Sequence, residues 1–176
     1  RRLLVMGGSQ GAHALNAFML ENLAEFRGAG VEIRHQTGIT DEGSARAAYV
    51  AAGYAPECVS AFIDDMAGAY AWADVALCRA GASTVAELCA AGLPSVLVPF
   101  PHAIHDHQTR NAEVLSRTGA AMLVPEGRMA VQHMADILLR LLTMPGEREP
   151  MAAAALSAAR PDAALWFTAL VSKAAN

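Results

Sequence analysis

The sequence predicts an α/β domain, a Rossmann-like open parallel sheet of six strands with helices on both faces. Three observations carry that expectation. Short apolar runs of strand length recur along the chain, helical stretches separate them, and several strands end in loops built of glycine and other small residues. A run that is apolar at every position suits a strand buried on both faces, as in parallel sheets whose crossovers are helices.

The elements follow in order. Residues 3–6 form the first strand and run into Gly7-Gly8, and 12–26 read as a helix. Strands are expected at 31–35 and 59–62, with helices at 41–52 and 64–72. A fourth strand at 74–78 leads to a helix over 84–91, and a fifth at 94–98 to a long loop and a helix over 108–117. The sixth strand is 121–124, and the chain is helical from Met129 onward, interrupted at Pro145-Gly146 and Pro161. Open sheets of this kind bind ligands at the carboxyl ends of their strands, so the site should be made of the post-strand loops.

Composition bounds the function. The 176 residues fit one domain, and 13 basic against 17 acidic side chains leave a net charge of −4. With 54% hydrophobic and 17% charged residues the chain is not of the disordered class. It has no basic excess with which to release phosphate counterions, so no nucleic-acid partner is expected. Cys58, Cys78 and Cys89 form no CxxC pair, and reduced thiols in a cytoplasmic protein are the simplest reading. No apolar run approaches the roughly 18 residues of a membrane span. The chain starts Arg1-Arg2 without a methionine, and Leu165, Trp166, Phe167 and Leu170 make an apolar stripe after Pro161. Both ends are therefore expected to be cuts from, or docking points for, something larger. The division expected is a ligand-binding domain over 1–160 and a separate helix over 161–176.

Three loops have the composition for chemistry. Gly7-Gly8-Ser9-Gln10-Gly11-Ala12 joins the first strand to its helix, where close backbone approach and free N–H groups suit a phosphate. It spells neither GxGxxG nor GxxxxGK[ST], and the second strand ends at His35-Gln36 rather than at an acid, which disfavours a dinucleotide. A purely structural turn is the competing reading. Arg79 to Glu87 (RAGASTVAE) is a second small-residue loop. Thr84 to Glu87 has capping-box spacing, and the alternative makes the Glu87 carboxylate a two-oxygen acceptor for vicinal ribose hydroxyls. The third loop, 99–111, holds His102, His105, His107 and Asp106, yet lacks the helical HxxxH spacing of zinc hydrolases. A polar sugar-binding rim with Gln108 and Asn111 suits it better than a metal. Asp64-Asp65 reads as a helix N-cap.

Taken together, GGSQGA (7–12), HQTG (35–38), FIDDMAGAYAWADV (62–75), RAGASTVAE (79–87), AAGLPSVLVPFPH (90–102) and DHQTRNA (106–112) resemble the C-terminal half of bacterial N-acetylglucosaminyltransferases of family 28, within the GT-B glycosyltransferases. The resemblance runs to about Pro125, and the final Pro161-Asp162-Ala163 is similar to the family's end. It implies that this half binds UDP-N-acetylglucosamine. Ser9, Gln10 and Gly11 would meet the diphosphate, and the Ile63 backbone the uracil. Ala82, Ser83, Thr84, Val85, Ala86 and Glu87 would cradle diphosphate and ribose, Glu87 taking the ribose hydroxyls. Gln108 and Asn111 would bind the sugar. Helix N-termini at Gly11 and Ser83-Thr84 would stabilise charge growing on the UDP leaving group as the C4 hydroxyl of a muramyl sugar attacks C1 with inversion. No metal or other cofactor is implied.

The same resemblance places the catalytic residues, the lipid I acceptor and most of the membrane contact in an N-terminal half that this sequence does not contain. This chain is thus expected to be the donor-binding part of the lipid II-forming step of peptidoglycan synthesis, inactive alone. The full enzyme would be peripheral on the cytoplasmic face of the membrane, with the last helix crossing to the other half. A stand-alone donor subunit of another two-part GT-B enzyme, or a non-enzymatic UDP-sugar sensor, are the alternatives.

Overall fold

The structure is a computed structural model and describes residues 1–7, 12–103, 106–130 and 133–159. Expectations for Ser9, Gln10, Gly11, His105 and the helix over 161–176, with Trp166 and Phe167, lie outside those residues.

The chain alternates strand and helix: β1 Arg2–Met6, α1 His13–Gly28, β2 Glu32–Gln36, α2 Glu42–Ala51, β3 Val59–Ser60, α3 Met66–Trp72, β4 Val75–Cys78, α4 Ala82–Ala91, β5 Ser95–Leu97, α5 His107–Arg117, β6 Ala121–Leu123, α6 Met134–Thr143 and α7 Pro145–Ala158. One-turn 3-10 helices lie at Pro56–Cys58 and Glu126–Arg128. All pairings are parallel, and the sheet order is β3-β2-β1-β4-β5-β6. The order reverses between β1 and β4, and at such a switch point two loops diverge to leave a crevice above the carboxyl ends of the strands.

Alternation along the strands builds two cores. Leu3, Val5, Ile33, Val75, Leu77 and Val96 face α1, α2 and α6, where Leu15, Met19, Phe26, Tyr49 and Leu138 meet them. Leu4, Met6, Ala76, Cys78 and Leu97 face the other way, against Tyr70, Leu88, Leu115 and Ala155 from α3, α4, α5 and α7. Consecutive strand residues point to opposite faces, so a strand apolar throughout supplies both cores. The cysteines are free thiols, with Cys78 and Cys89 buried, and burial pushes the Cys78 thiol up to about 12.

Most boundaries lie within two residues of expectation. β3 ends at Ser60, two residues short of the expected end, so that Phe62 and Ile63 lie beyond the sheet and line the crevice. The helical stretch expected after Met129 breaks at Pro145-Gly146 as expected, into α6 and α7, with Pro145 at the first turn of α7, where its missing N–H costs nothing. Helix α4 closes on Gly92 at φ 61°, a left-handed cap, where a Cβ would stand 2.6 Å from Leu156 of α7.

Asp65 caps α3 as expected, its Oδ1 accepting the Gly68 N–H at 2.8 Å. A Cβ on Gly68 would lie 2.1 Å from Asp65 Oδ2. Gly68→Ala must displace the cap and is expected to cost about 1–2 kcal/mol. Gly127, with nothing near its would-be Cβ, is the control. Thermal melts compare the two, and equal transitions would mean the cap adds nothing.

Candidate functional site

The crevice above the sheet is a cleft of about 480 Å³. Its walls come from the end of β1 (Met6, Gly7), the segment after β3 (Phe62, Ile63), α3 (Met66, Tyr70), the β4–α4 turn (Arg79, Gly81, Thr84, Glu87) and the loop after β5 (Phe100, Gln108). Four predicted residues, Ile63, Thr84, Glu87 and Gln108, thus converge from parts of the chain far apart in sequence.

A groove of larger volume, about 690 Å³, runs along α1 and is lined in part by Glu21, Glu25, Glu126 and Asp136. Its carboxylates have the wrong sign for a phosphate-bearing ligand. The crevice is the better candidate.

The β4–α4 turn removes the capping-box reading of Glu87. Helix α4 starts at Ala82 with Gly81 as N-cap and no side-chain cap. Thr84 therefore sits inside the first turn and Glu87 in the second, so the Thr84–Glu87 spacing is not a capping box. The helix begins two residues earlier than expected because Gly81, in extended conformation at φ −63° and ψ 149°, supplies the turn into it. Glu87 is instead exposed on the cleft wall and accepts a hydrogen bond from the Tyr70 hydroxyl, 2.7 Å from Oε2.

The first turn of α4 offers backbone donors. The N–H groups of Ala82, Ser83 and Thr84 precede the intrahelical ladder, and with no side-chain cap they remain available to an anion. The ladder starts at Val85, whose N–H bonds the Gly81 carbonyl at 2.9 Å. Val85 also packs against the second core, while Ala86 is exposed in the same helix.

Gln108 and Asn111 lie on α5 and do different things. The Gln108 side-chain oxygen accepts the Phe100 N–H at 3.0 Å, which leaves its NH2 group to donate. Asn111 does not line the cleft. Its Nδ2 donates to the Ala80 carbonyl at 3.0 Å and ties α5 to the β4–α4 turn, so its side chain supports the site from behind.

Two residues of the site escaped the reading of the sequence as actors. Tyr70 is buried in α3, and the signal was its hydroxyl, a polar atom in the otherwise apolar stretch Met66 to Trp72. Arg79 directly follows the buried strand β4. It pairs with Glu126, donates to the carbonyls of Val98 at 3.1 Å and Pro99 at 3.2 Å, and stands 5.5 Å from the Phe100 ring centroid.

Beside the cleft, His35 at the end of β2 is buried with both ring nitrogens engaged. Nδ1 meets the Tyr49 hydroxyl at 2.8 Å and Nε2 meets Asn16 Oδ1 at 3.0 Å. An amide oxygen only accepts, so Nε2 carries the proton and Tyr49 donates to Nδ1. Asn16 Nδ2 donates onward to the Thr37 carbonyl and to Asp41, which His13 also contacts.

The comparisons agree with this architecture. A model of the glycosyltransferase family 28 C-terminal domain matches residues 2–165. A UDP-N-acetylglucosamine--N-acetylmuramyl-(pentapeptide) pyrophosphoryl-undecaprenol N-acetylglucosamine transferase of Nitratidesulfovibrio vulgaris is 50% identical over 164 residues, covering 93% of this chain and 45% of the relative. The transferase of the same description from Xanthomonas euvesicatoria pv. vesicatoria is 52% identical over 163 residues, covering 93% of this chain and 38% of the relative. Among solved structures, MurG of Acinetobacter baumannii superposes with TM-score 0.81 at 34% identity, covering 98% of this chain and 52% of that one. The chain thus spans about half the length of MurG, and less of the curated relatives.

Proposed function

The chain belongs to the glycosyltransferase family 28 C-terminal domains, and on that premise we propose that it is the donor-binding half of an inverting N-acetylglucosaminyltransferase of peptidoglycan synthesis. It holds UDP-N-acetylglucosamine in the cleft. The acceptor, undecaprenyl-diphospho-N-acetylmuramyl-pentapeptide or lipid I, binds a companion half of the enzyme, which carries the catalytic groups. The observation that supports this best is the convergence of Ile63, Thr84, Glu87 and Gln108 at the switch point of the sheet.

In this reading each part has a task. Backbone N–H groups of Ala82, Ser83 and Thr84, with the positive end of the α4 dipole, take the diphosphate, joined by Ser9, Gln10 and Gly11 from the first loop. Positive potential there stabilises the UDP leaving group as the sugar departs. Glu87 accepts from the two ribose hydroxyls, the Ile63 backbone holds the uracil, and the Gln108 NH2 group meets the sugar. The acceptor's C4 hydroxyl attacks C1 of the donor from the face opposite the diphosphate, forming the new C1–O bond as the C1–O bond to UDP breaks. The hydroxyl proton leaves to a base on the companion half.

No helix among the described residues is long and apolar enough to cross a membrane. We place the enzyme at the cytoplasmic face of the membrane, peripheral and held there chiefly by the companion half.

Calorimetry on this chain tests the reading. UDP-N-acetylglucosamine and UDP are expected to bind, and Glu87→Ala to weaken both by about 1–3 kcal/mol, since the lost acceptor is charged. Unchanged affinity in Glu87→Ala would remove the ribose assignment. No binding of either ligand by the wild-type chain would sink the donor-site reading as a whole.

A further inference from the structure

A glutamate on the exposed face of a helix has several rotamers, and a carboxylate that must meet two hydroxyls at once needs one of them. Glu87 is in that position, exposed in the second turn of α4. The group that restrains it comes from another helix. The Tyr70 ring is 8% exposed, fixed in the second core, and its hydroxyl lies 2.7 Å from Glu87 Oε2.

The surroundings show what that bond prevents. Tyr70 and Glu87 line the cleft on one side, and on the other they line an apolar groove of about 560 Å³ between α3 and α4, with Met66, Ala67, Ala90 and Ala91. The pair, with Met66, lies between the two spaces. A Glu87 side chain without a tether is free to swing along α4, out of register with a ligand in the cleft.

We infer that Tyr70 is a positioning residue, whose hydroxyl holds the Glu87 carboxylate in the rotamer that receives a ribose diol. This rests on the donor-site reading of the cleft. Tyr70 itself touches no ligand hydroxyl. It occupies one lone pair of Oε2 and leaves Oε1 and the second lone pair of Oε2 to the two ligand hydroxyls. A tyrosine suits the task because its ring has only two side-chain torsions, both set by packing here, and burial together with the bond to Glu87 pushes the phenol above its ordinary range, so that it remains a donor.

The test uses Tyr70→Phe, which keeps the ring and removes the hydroxyl, and two probes, UDP and 2′,3′-dideoxy-UDP. The variant is expected to bind UDP about three- to tenfold more weakly than the wild type, the range for one hydrogen bond. Its affinity for 2′,3′-dideoxy-UDP is expected to stay unchanged, since no diol is present to be met. In a Glu87→Ala background the same substitution should add no further loss for UDP. Equal weakening for both probes would assign Tyr70 a packing role and overturn the inference. So would a Tyr70→Phe chain that binds UDP like the wild type while Glu87→Ala does not; the donor-site reading would then survive alone. A wild-type chain that binds neither probe overturns both.

Discussion

The free energy of unfolding is expected to fall by about 2 kcal/mol between pH 7.5 and pH 5, and by about 4–5 kcal/mol on reaching pH 3, from one buried imidazole. Burial holds His35 down at about 3 from its ordinary 6.5, with the Asp41 carboxylate pulling weakly the other way. The folded state keeps His35 neutral, whereas the unfolded chain protonates it below 6.5. Between those two values the unfolded state binds more protons, so stability rises with pH. Its contribution is complete above about 6.5 and is lost progressively as the pH falls towards 3. Asp41, held below the usual carboxylate range by its hydrogen bonds from Asn16 and His13, adds a loss of the same sign at lower pH. The neutral ring also suits the geometry, because a protonated one would make Nδ1 a donor and require the buried Tyr49 hydroxyl to accept there instead of donating. Urea titrations at pH 7.5, 6 and 5 on the wild type and His35→Gln measure this. The variant should be less stable at pH 7.5 yet flatter across the range. Parallel pH profiles would move the acid sensitivity elsewhere.

That histidine illustrates what was legible in the sequence and what was not. The sheet was legible chiefly from strands that are apolar runs, such as β1 and β4, whereas β2 shows only as buried Ile33 between exposed Glu32 and Arg34. The caps and breaks were legible where one residue type decides them, as with Asp65 and Pro145. The HQTG stretch was visible as a motif, but the use of His35 was not, since its partners Asn16 and Tyr49 lie 19 and 14 residues away on two different helices. Glu87 was ambiguous for a related reason. Its spacing from Thr84 fits a capping box, and only the earlier start of α4 at Ala82 excludes that role. Asn111 looked like a sugar ligand from its place beside Gln108, whereas one helical turn sends the two side chains to different neighbours. Local rules fix an element and its ends; which polar groups meet across elements is set by packing, and a short sequence window does not contain it.

Arg79→Ala is expected to destabilise the chain by about 2–4 kcal/mol and to erode selection for the sugar without abolishing nucleotide binding. An arginine on the wall of the proposed diphosphate cleft invites a phosphate role, but the structure commits this one elsewhere. Its side chain is 12% exposed, paired with a Glu126 that is 25% exposed, and it also donates to the carbonyls of Val98 and Pro99. Removing it leaves a largely desolvated carboxylate and two carbonyls without their donor, which accounts for the size of the loss. The upper end of the usual range for buried pairs is not reached, because Glu126 retains some contact with water. The functional consequence follows from the next bond in the chain. Residues 98–100 lead directly to the Phe100 N–H that fixes Gln108, so loosening that segment releases the amide assigned to the sugar. UDP, which lacks the N-acetylglucosamine, should bind the variant nearly as well as the wild type at a temperature where both are folded. UDP-N-acetylglucosamine should lose its advantage over UDP. Glu126→Ala should reproduce part of the destabilisation, and a double-mutant cycle should show strong coupling between the two. If Arg79→Ala were to abolish binding of UDP and UDP-N-acetylglucosamine alike while remaining folded, the guanidinium would be a phosphate ligand, and the strut described here would be wrong.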